Sequence, residues 1–278
     1  MDLDHVRRME RVEVAVWRDL VSAASSDVRR NLGLVDVQFA GGMALLCSRL
    51  PSVLFNRAFG FGLEQAVCAT NLDDLIELYR YGGPFAIQPS PAVLCPGTAT
   101  LLKNRGLPAR SSWSCWTRTL DVPIEPVRAP IRVTRVRREQ AETFAALTCG
   151  LLGEFTIAPW IAESVGRDRW THYLALHRDE PVGAAALFVN GDDAWLSMGV
   201  TVEEYRNQGV QSVLIARRLL DAAGQGARWI RVETTDDRPN QPSPSSRIMQ
   251  YAGFTLQYQR PSHVWLPPGL DKQSSPAE

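Results

Sequence analysis

Three prolines within eight positions, Pro123, Pro126 and Pro130, interrupt the chain near its middle. Each proline locks φ and lacks a backbone N–H, so neither a helix interior nor a central strand tolerates such a run. Residues 121–130 are therefore expected to form an extended linker. A chain of 278 residues gives each side of it room for a domain of ordinary size. With 45% hydrophobic and 22% charged residues, a packed core is expected on both sides.

Thirteen basic and thirteen acidic residues precede Pro126, and seventeen of each follow, for a formal net charge of zero. Such balance offers no basic face to nucleic acid or to an anionic membrane. No apolar run approaches the roughly 18 residues of a membrane-spanning helix. The N-terminus opens on Asp2, Asp4, Arg7 and Arg8 rather than on a signal core. The five cysteines are scattered without CxxC spacing, and His5, His172, His177 and His263 do not fall near them in a metal pattern. A cytoplasmic protein with reduced thiols and no metal is expected.

After the linker, periodicity predicts a strand at 131–136, a helix at 139–152 carrying Phe144, Leu147 and Leu151 at helical spacing, and a short helix at 158–165. Apolar runs at 171–177, 181–190 and 194–202, separated by turns at 178–180 and 190–193, read as an antiparallel meander. Residues 211–224 form an amphipathic helix with Val210, Val213, Leu214, Leu219 and Leu220 expected inward. A strand at 229–233, a loop at 236–245, a helix over 243–251 and a strand at 254–260 follow.

The first half reads as a helix at 4–24, strands at 34–39, 43–50 and 53–59, and a helix at 71–81 with Asn71 as its cap and Asp73 and Asp74 in its first turn. A strand at 84–88, a helix at 97–105 and a strand at 112–119 complete it. This order resembles that of the second half, as a weak internal duplication would.

The segment 196–220 carries the chemistry. A strand ends near Val202, a tight turn runs from Arg206 to Gln211, and a helix follows at once. The first turn of such a helix presents unpaired N–H groups and the positive end of the helix dipole, which suits a phosphate. Gly209 lets the backbone approach an anion with no side chain in the way. The alternative is a plain strand-to-helix connection.

Val202-Glu203-Glu204-Tyr205-Arg206-Asn207-Gln208-Gly209-Val210-Gln211-Ser212 resembles the R/Q-x-x-G-x-G/A signature of the GNAT N-acetyltransferase superfamily. Arg206 and Gly209 match it; Gln211 stands where a second Gly or Ala is usual. Downstream, Ala252-Gly253-Phe254 resembles the Gly-Phe ending of the fourth GNAT helix, and the resemblance covers residues 131–266. The first half, through Phe55 to Gly62 and the Gly-Pro-rich stretch 82–91, looks like the degenerate N-terminal half of tandem GNAT proteins. It contains no Arg-x-x-Gly-x-Gly turn.

The resemblance implies an α/β (α+β) fold with a mixed, mostly antiparallel sheet flanked by helices, in two tandem GNAT-like domains. These are 1–122, degenerate, and 131–266, the acetyltransferase domain, with a disordered tail at 267–278. It implies acetyl-CoA as cosubstrate. Backbone groups of Gly199, Val200 and Thr201 would pair with the pantetheine arm, and N–H groups of Asn207, Gln208, Gly209, Val210, Gln211 and Ser212 would cradle the pyrophosphate. Arg206 would either add a charge-assisted contact or face solvent. The implied partner is a small-molecule amine acceptor, with a homodimer as the candidate assembly.

Acetyl transfer requires a neutral amine, a polarised thioester carbonyl and a proton for the departing thiolate. Many GNAT enzymes place a proton-donating tyrosine five residues before the Phe of Gly-Phe; here that residue is Met249. Tyr251 would point elsewhere on the helix, which leaves Ser245, Ser246 or water as the acid. Glu233, at the end of the fifth strand, is the candidate base; its alternative roles are a solvated strand-end charge or a partner for Arg231. Glu154 would attract a cationic amine or simply be a surface acid. The tryptophans read as core residues, Trp160 being the one expected to border the acceptor site. Gly60-Phe61-Gly62 lacks the third glycine of a dinucleotide turn. The leading expectation is an N-acetyltransferase working by direct attack; the rivals are a non-catalytic acyl-CoA-binding regulatory module and a protein N-acetyltransferase.

Overall fold

The computed structural model describes residues 2–39, 41–63, 69–80, 83–92, 97–235 and 243–267. The chain begins with α1 (Leu3–Ala23), α2 (Ser26–Leu32), β1 (Leu34–Phe39), β2 (Gly42–Cys47) and β3 (Arg57–Phe61). Then come α3 (Ala69–Leu78), β4 (Phe85–Pro89), α4 (Thr98–Asn104) and β5 (Ala109–Thr119). Residues 121–130 carry neither helix nor strand, as their prolines dictate. Beyond them lie β6 (Arg132–Arg135), α5 (Ala141–Leu152), α6 (Ala158–Glu163), β7 (Trp170–His177), β8 (Glu180–Asn190) and β9 (Asp193–Thr201). The chain closes with α7 (Val210–Gly224), β10 (Trp229–Thr235), α8 (Pro244–Tyr251) and β11 (Thr255–Trp265).

Two compact units result. One comprises Met1–Val14, Ser26–Trp113 and Gln259–Glu278, the other Ala15–Ser25 and Ser114–Tyr258. The first unit thus draws its last segment from the far end of the chain, and the proline segment 121–130 lies inside the second unit.

In the first unit β1, β2 and β3 are antiparallel neighbours, β4 runs parallel to β3, and the end of β11 pairs antiparallel with β4. Leu72, Leu75 and Tyr79 pack on Phe61, Phe85 and Ile87. Tyr79 stacks on Phe85 with ring centroids 4.7 Å apart and donates its hydroxyl to the Leu45 carbonyl at 3.0 Å. A buried ion cluster fastens the start of α1 to β11: Arg260 donates at 2.9 Å to Glu10 Oε2 and, from Nη2, at 2.9 Å to Glu13 Oε1. Truncating one member of such a cluster costs about 3–5 kcal/mol, because it strands a buried charge.

The second unit follows the same plan. β6 to β9 form an antiparallel meander, β10 runs parallel to β9, and β5 lies beside β10. The β7–β8 turn places Arg178 at φ 49° and Asp179 at φ 71°, a two-residue connection whose left-handed centre matches the twist of its strands. From α7, Val210, Leu214 and Leu219 pack with Ala185, Ala194 and Ile230. The sheet is mixed and mostly antiparallel with flanking helices, as expected.

Four local expectations are corrected. Helix α3 starts at Ala69, so Asn71 lies inside it and does not cap it. The strand expected at 53–59 is Arg57–Phe61, because residues 53–55 form a turn. Leu220 is 56% exposed, while Ile215 and Arg218 take the inward face of α7; an extra apolar residue does not shift a helix's phase. The seven-residue α2 was not anticipated, since so short an element carries too little periodicity to detect. Cys68, Cys95, most of the loop expected at 236–245, and the tail from residue 268 lie outside the described residues.

Candidate active site

The site begins where two parallel strands part. β10 pairs with β9 at Trp229↔Asp193, Ile230↔Ala194 and Arg231↔Trp195, and no further. Beyond that point β9 stays with β8, but Ser197 faces Ala186 and Val200 faces Ala184, so Met198 and Gly199 together oppose Ala185. This β-bulge, with Met198 at φ 53°, bends β9 while β10 runs on to Thr235. A cavity of about 160 Å³ opens between the strands, walled by Ser197, Gly199, Glu233, Thr234, Ser245 and Met249 among others.

After β9 the chain makes one tight turn at Glu203–Tyr205, then passes through Asn207 at φ 62° and Gly209 at φ 82° into α7. The first hydrogen bond of α7 runs from Val213 N–H to Gly209 O at 3.0 Å. The N–H groups of Asn207, Gln208, Gly209, Val210, Gln211 and Ser212 donate to no acceptor among the described residues. A side chain at Gly209 would meet both the left-handed backbone and Ala129, whose Cβ lies 3.2 Å from the added atom. Six free donors around a residue that must stay bare are a backbone arrangement suited to an anion.

The irregular Gln211 has a structural role. Its Nε2 donates to Val200 O at 2.8 Å and to Thr201 Oγ1 at 2.9 Å, bracing the first turn of α7 against β9. Its amide therefore points toward the strand, and only its backbone belongs to the turn. The Arg206 side chain is 61% exposed and pairs with Glu203 at 3.5 Å. Gln208 closes the turn from the side, donating to Glu204 O at 2.7 Å.

Glu233 is no solvated strand end. Its side chain is 6% exposed and lines the cavity, accepting from Arg231 Nη2 at 2.8 Å and from the Cys115 thiol at 3.4 Å. Arg231 stacks over Trp195 at 4.8 Å, and Trp116 Nε1 donates to Thr234 Oγ1 at 2.9 Å. Ser245 reaches the same cavity. Ser246 does not: it is buried under the helix cap, where its N–H donates to Ser243 Oγ at 3.0 Å. Met249 stands in the cavity wall, and Tyr251, 90% exposed, lies against a separate cavity. That larger space, about 520 Å³, runs between α7, α8 and linker residues such as Val122 and Ile124, and shares Ile215 and Ile248 with the smaller one. Trp160 is a core residue, not a border of either cavity: its indole donates to Leu20 O at 2.7 Å and its ring lies 6.5 Å from Trp17. Glu154 is half-buried and lines neither cavity.

From the sequence the pair Arg217-Arg218 reads as a solvated helix face, and the structure corrects this for Arg218. It is 3% exposed and lines the smaller cavity, with Nε donating to Leu214 O at 3.1 Å and Nη1 to Ala186 O at 3.2 Å and Ser197 O at 3.3 Å. Burial pulls its pKa down to about 10. The available signal was a cation in the inward stripe of α7, four residues beyond Leu214 and eight beyond Val210. Among the described residues no group of three or more His, Cys, Asp or Glu side chains is placed to hold a metal, and no helix is long and apolar enough to cross a membrane.

In the second unit the mostly antiparallel strands include one parallel pair that parts over a bulge, and a glycine turn leads into the helix that follows; this fold is similar to that of solved GCN5-related N-acetyltransferases (GNAT). A GCN5-related N-acetyltransferase from Kribbella flavida is similar over 90% of this chain and 95% of its own, with a TM-score of 0.61 at 16% identity. One from Sphaerobacter thermophilus is similar over 87% of this chain and 85% of its own, at TM-score 0.58 and 13% identity. A tandem GNAT protein from the clavulanic acid biosynthesis pathway covers 81% of this chain and 78% of its own, at TM-score 0.56 and 16% identity. No protein-family model and no curated protein sequence matches the chain.

Proposed function

We propose that this chain is an N-acetyltransferase that moves the acetyl group of acetyl-CoA onto the amine of a small molecule. The observation that carries this reading is the seat of six unpaired N–H groups at 207–212, set beside the cavity that holds Glu233. A pyrophosphate satisfies those donors and the positive end of α7 together. The stretch of β9 past Leu196, which β10 leaves uncovered, is the edge along which Gly199, Val200 and Thr201 would meet the pantetheine arm. The coenzyme supplies an activated thioester, and the chain's task is placement: holding acyl carbon and amine together provides much of the rate. Glu233 is placed to take the amine proton, directly or through water. Ser245 is the one hydroxyl of the expected pair that reaches the cavity.

The first unit would serve as scaffold. Balanced charge and buried thiols support a cytoplasmic enzyme acting on a small molecule, and sedimentation of the full chain would test the homodimer. A second reading, a non-catalytic acyl-CoA-binding module, is favoured by Met249 standing in the cavity wall with no proton to donate.

Calorimetric titration with acetyl-CoA, followed by thiol release across a panel of amines, separates these readings. Binding with release supports the enzyme. Binding with no release across the panel supports the module, and no binding overturns the coenzyme assignment.

A further inference from the structure

Arg218 is a buried cation with no counterion among the described residues. Its Nε and Nη1 are spent on the carbonyls of Leu214, Ala186 and Ser197, and no carboxylate among the described residues lies within 4.0 Å of it. Nη2 has no hydrogen-bond partner among the described residues and lies 3.9 Å from where a Cβ on Gly199 would stand, at the bulge where the strands part. The charged groups nearby are committed elsewhere. Tyr173 on β7 donates to Asp221 Oδ2 at 2.7 Å, and Asp221 is held by Arg135 and Arg217 at 3.1 Å. Glu233, in the wall of the same cavity, is paired with Arg231.

A guanidinium held in the interior with one nitrogen open to a cavity and no carboxylate beside it gains from a ligand that brings negative charge there. Acetyl transfer produces such a charge. As the amine nitrogen attacks the thioester carbon, the C–N bond forms and the C–S bond breaks. The electron pair of that bond stays on sulfur, and the amine proton passes to Glu233 or to water. Met249, in the same cavity wall, has no proton for the sulfur.

Resting on the coenzyme reading above, we infer that Arg218 is the catalytic residue that receives the leaving sulfur, pairing with it as a thiolate in place of a proton donor. Burial lowers the Arg218 pKa only to about 10, so the side chain keeps its charge at neutral pH and gains from an anion beside it.

The test uses the full chain with CoA and with desulfo-CoA, which lacks the thiol. Thiolate absorbance of bound CoA is followed against pH in the wild type, Arg218→Lys and Arg218→Met. The expected result is a thiol midpoint in the wild type at least about one unit below that of free CoA, with the matching tenfold preference for CoA over desulfo-CoA at alkaline pH. Arg218→Met loses both effects and Arg218→Lys keeps most of them. A wild-type midpoint equal to that of free CoA, or one unchanged in Arg218→Met, overturns the inference. Should Arg218→Met fail to fold, the wild-type midpoint and Arg218→Lys decide. Binding of neither CoA nor desulfo-CoA sinks the coenzyme reading itself; equal binding of both sinks only the role of Arg218. A preference for succinyl-CoA over acetyl-CoA that disappears in Arg218→Met assigns the charge to an acyl carboxylate and overturns the inference as well.

Discussion

Arg231 Nη2 lies 2.8 Å from Glu233 Oε1, and both side chains are more than nine-tenths buried. Two residues apart on β10, they project from the same face of the sheet. Trp195 covers the guanidinium at 4.8 Å, and the Cys115 thiol donates to the same carboxylate oxygen at 3.4 Å. The carboxylate is thereby fixed in the cavity wall before any ligand arrives, which spares the reaction the entropy of positioning it.

Glu233→Gln keeps the shape and removes the charge. Amine-dependent thiol release should fall by about 10²-fold or more, as expected for loss of a general base, while calorimetry shows coenzyme affinity unchanged. Full activity in the variant would leave Glu233 only its pairing with Arg231.

Gly209→Val places a β-branched side chain at φ 82° and drives its Cβ toward Ala129. Coenzyme affinity should drop at least about tenfold, equivalent to 1.4 kcal/mol. Calorimetric binding equal to wild type would remove the anion seat from 207–212.

Gln211→Ala deletes the two hydrogen bonds that brace α7 against β9. Stability should fall by about 1–2 kcal/mol, read as an earlier denaturant midpoint. The backbone N–H donors remain, so acetyl-CoA should still bind.

His172 gives the fold a pH dependence. Its ring is buried, with Nε2 2.9 Å from Ser164 Oγ; that hydroxyl donates to Ile161 O at 2.6 Å, so the imidazole N–H donates to the serine. Burial lowers its pKa from 6.5 to about 4. Between those values the unfolded chain binds the proton and the folded chain does not, so stability is lost as pH falls below 6.5 and the loss is complete near 4. The span is worth roughly 3 kcal/mol, and thermal melts of His172→Gln should show a flatter profile over it than the wild type.

Cys47 and Cys149 have thiols pushed up to about 12, by burial in both cases and additionally by the charge of Glu154 for Cys149. Neither should alkylate in the native protein at neutral pH, and both should do so once it is unfolded. Mass spectrometry of peptides after a timed iodoacetamide pulse checks this.

Much of the second unit could be read along the chain because its signals are local. The period of α5 and α7, the apolar runs of β7 to β9 with the turns between them, and the prolines of 121–130 each depend on neighbours a few residues away. The cap assigned to Asn71 and the strand placed at 53–59 failed where local preference was weak and packing chose the boundary. Leu220 had the right residue type on the wrong side of α7, while Arg218, of the wrong type, went inside.

The turn at 207–212 was legible for one further reason: its proposed anion contacts are made by backbone, and Gly209 marks where backbone must stay bare. The remainder of the site is assembled from distant pieces. Cys115 meets Glu233 across 118 residues of sequence, and Arg218 takes carbonyls from β8 and β9 that lie 32 and 21 residues away. Sequence alone determined the elements and the turn, since hydrogen bonding and periodicity act over a few residues. Only the tertiary structure decided which charges are buried, which of them are paired, and which cavity they face, because burial and counterions depend on strands the local sequence cannot see.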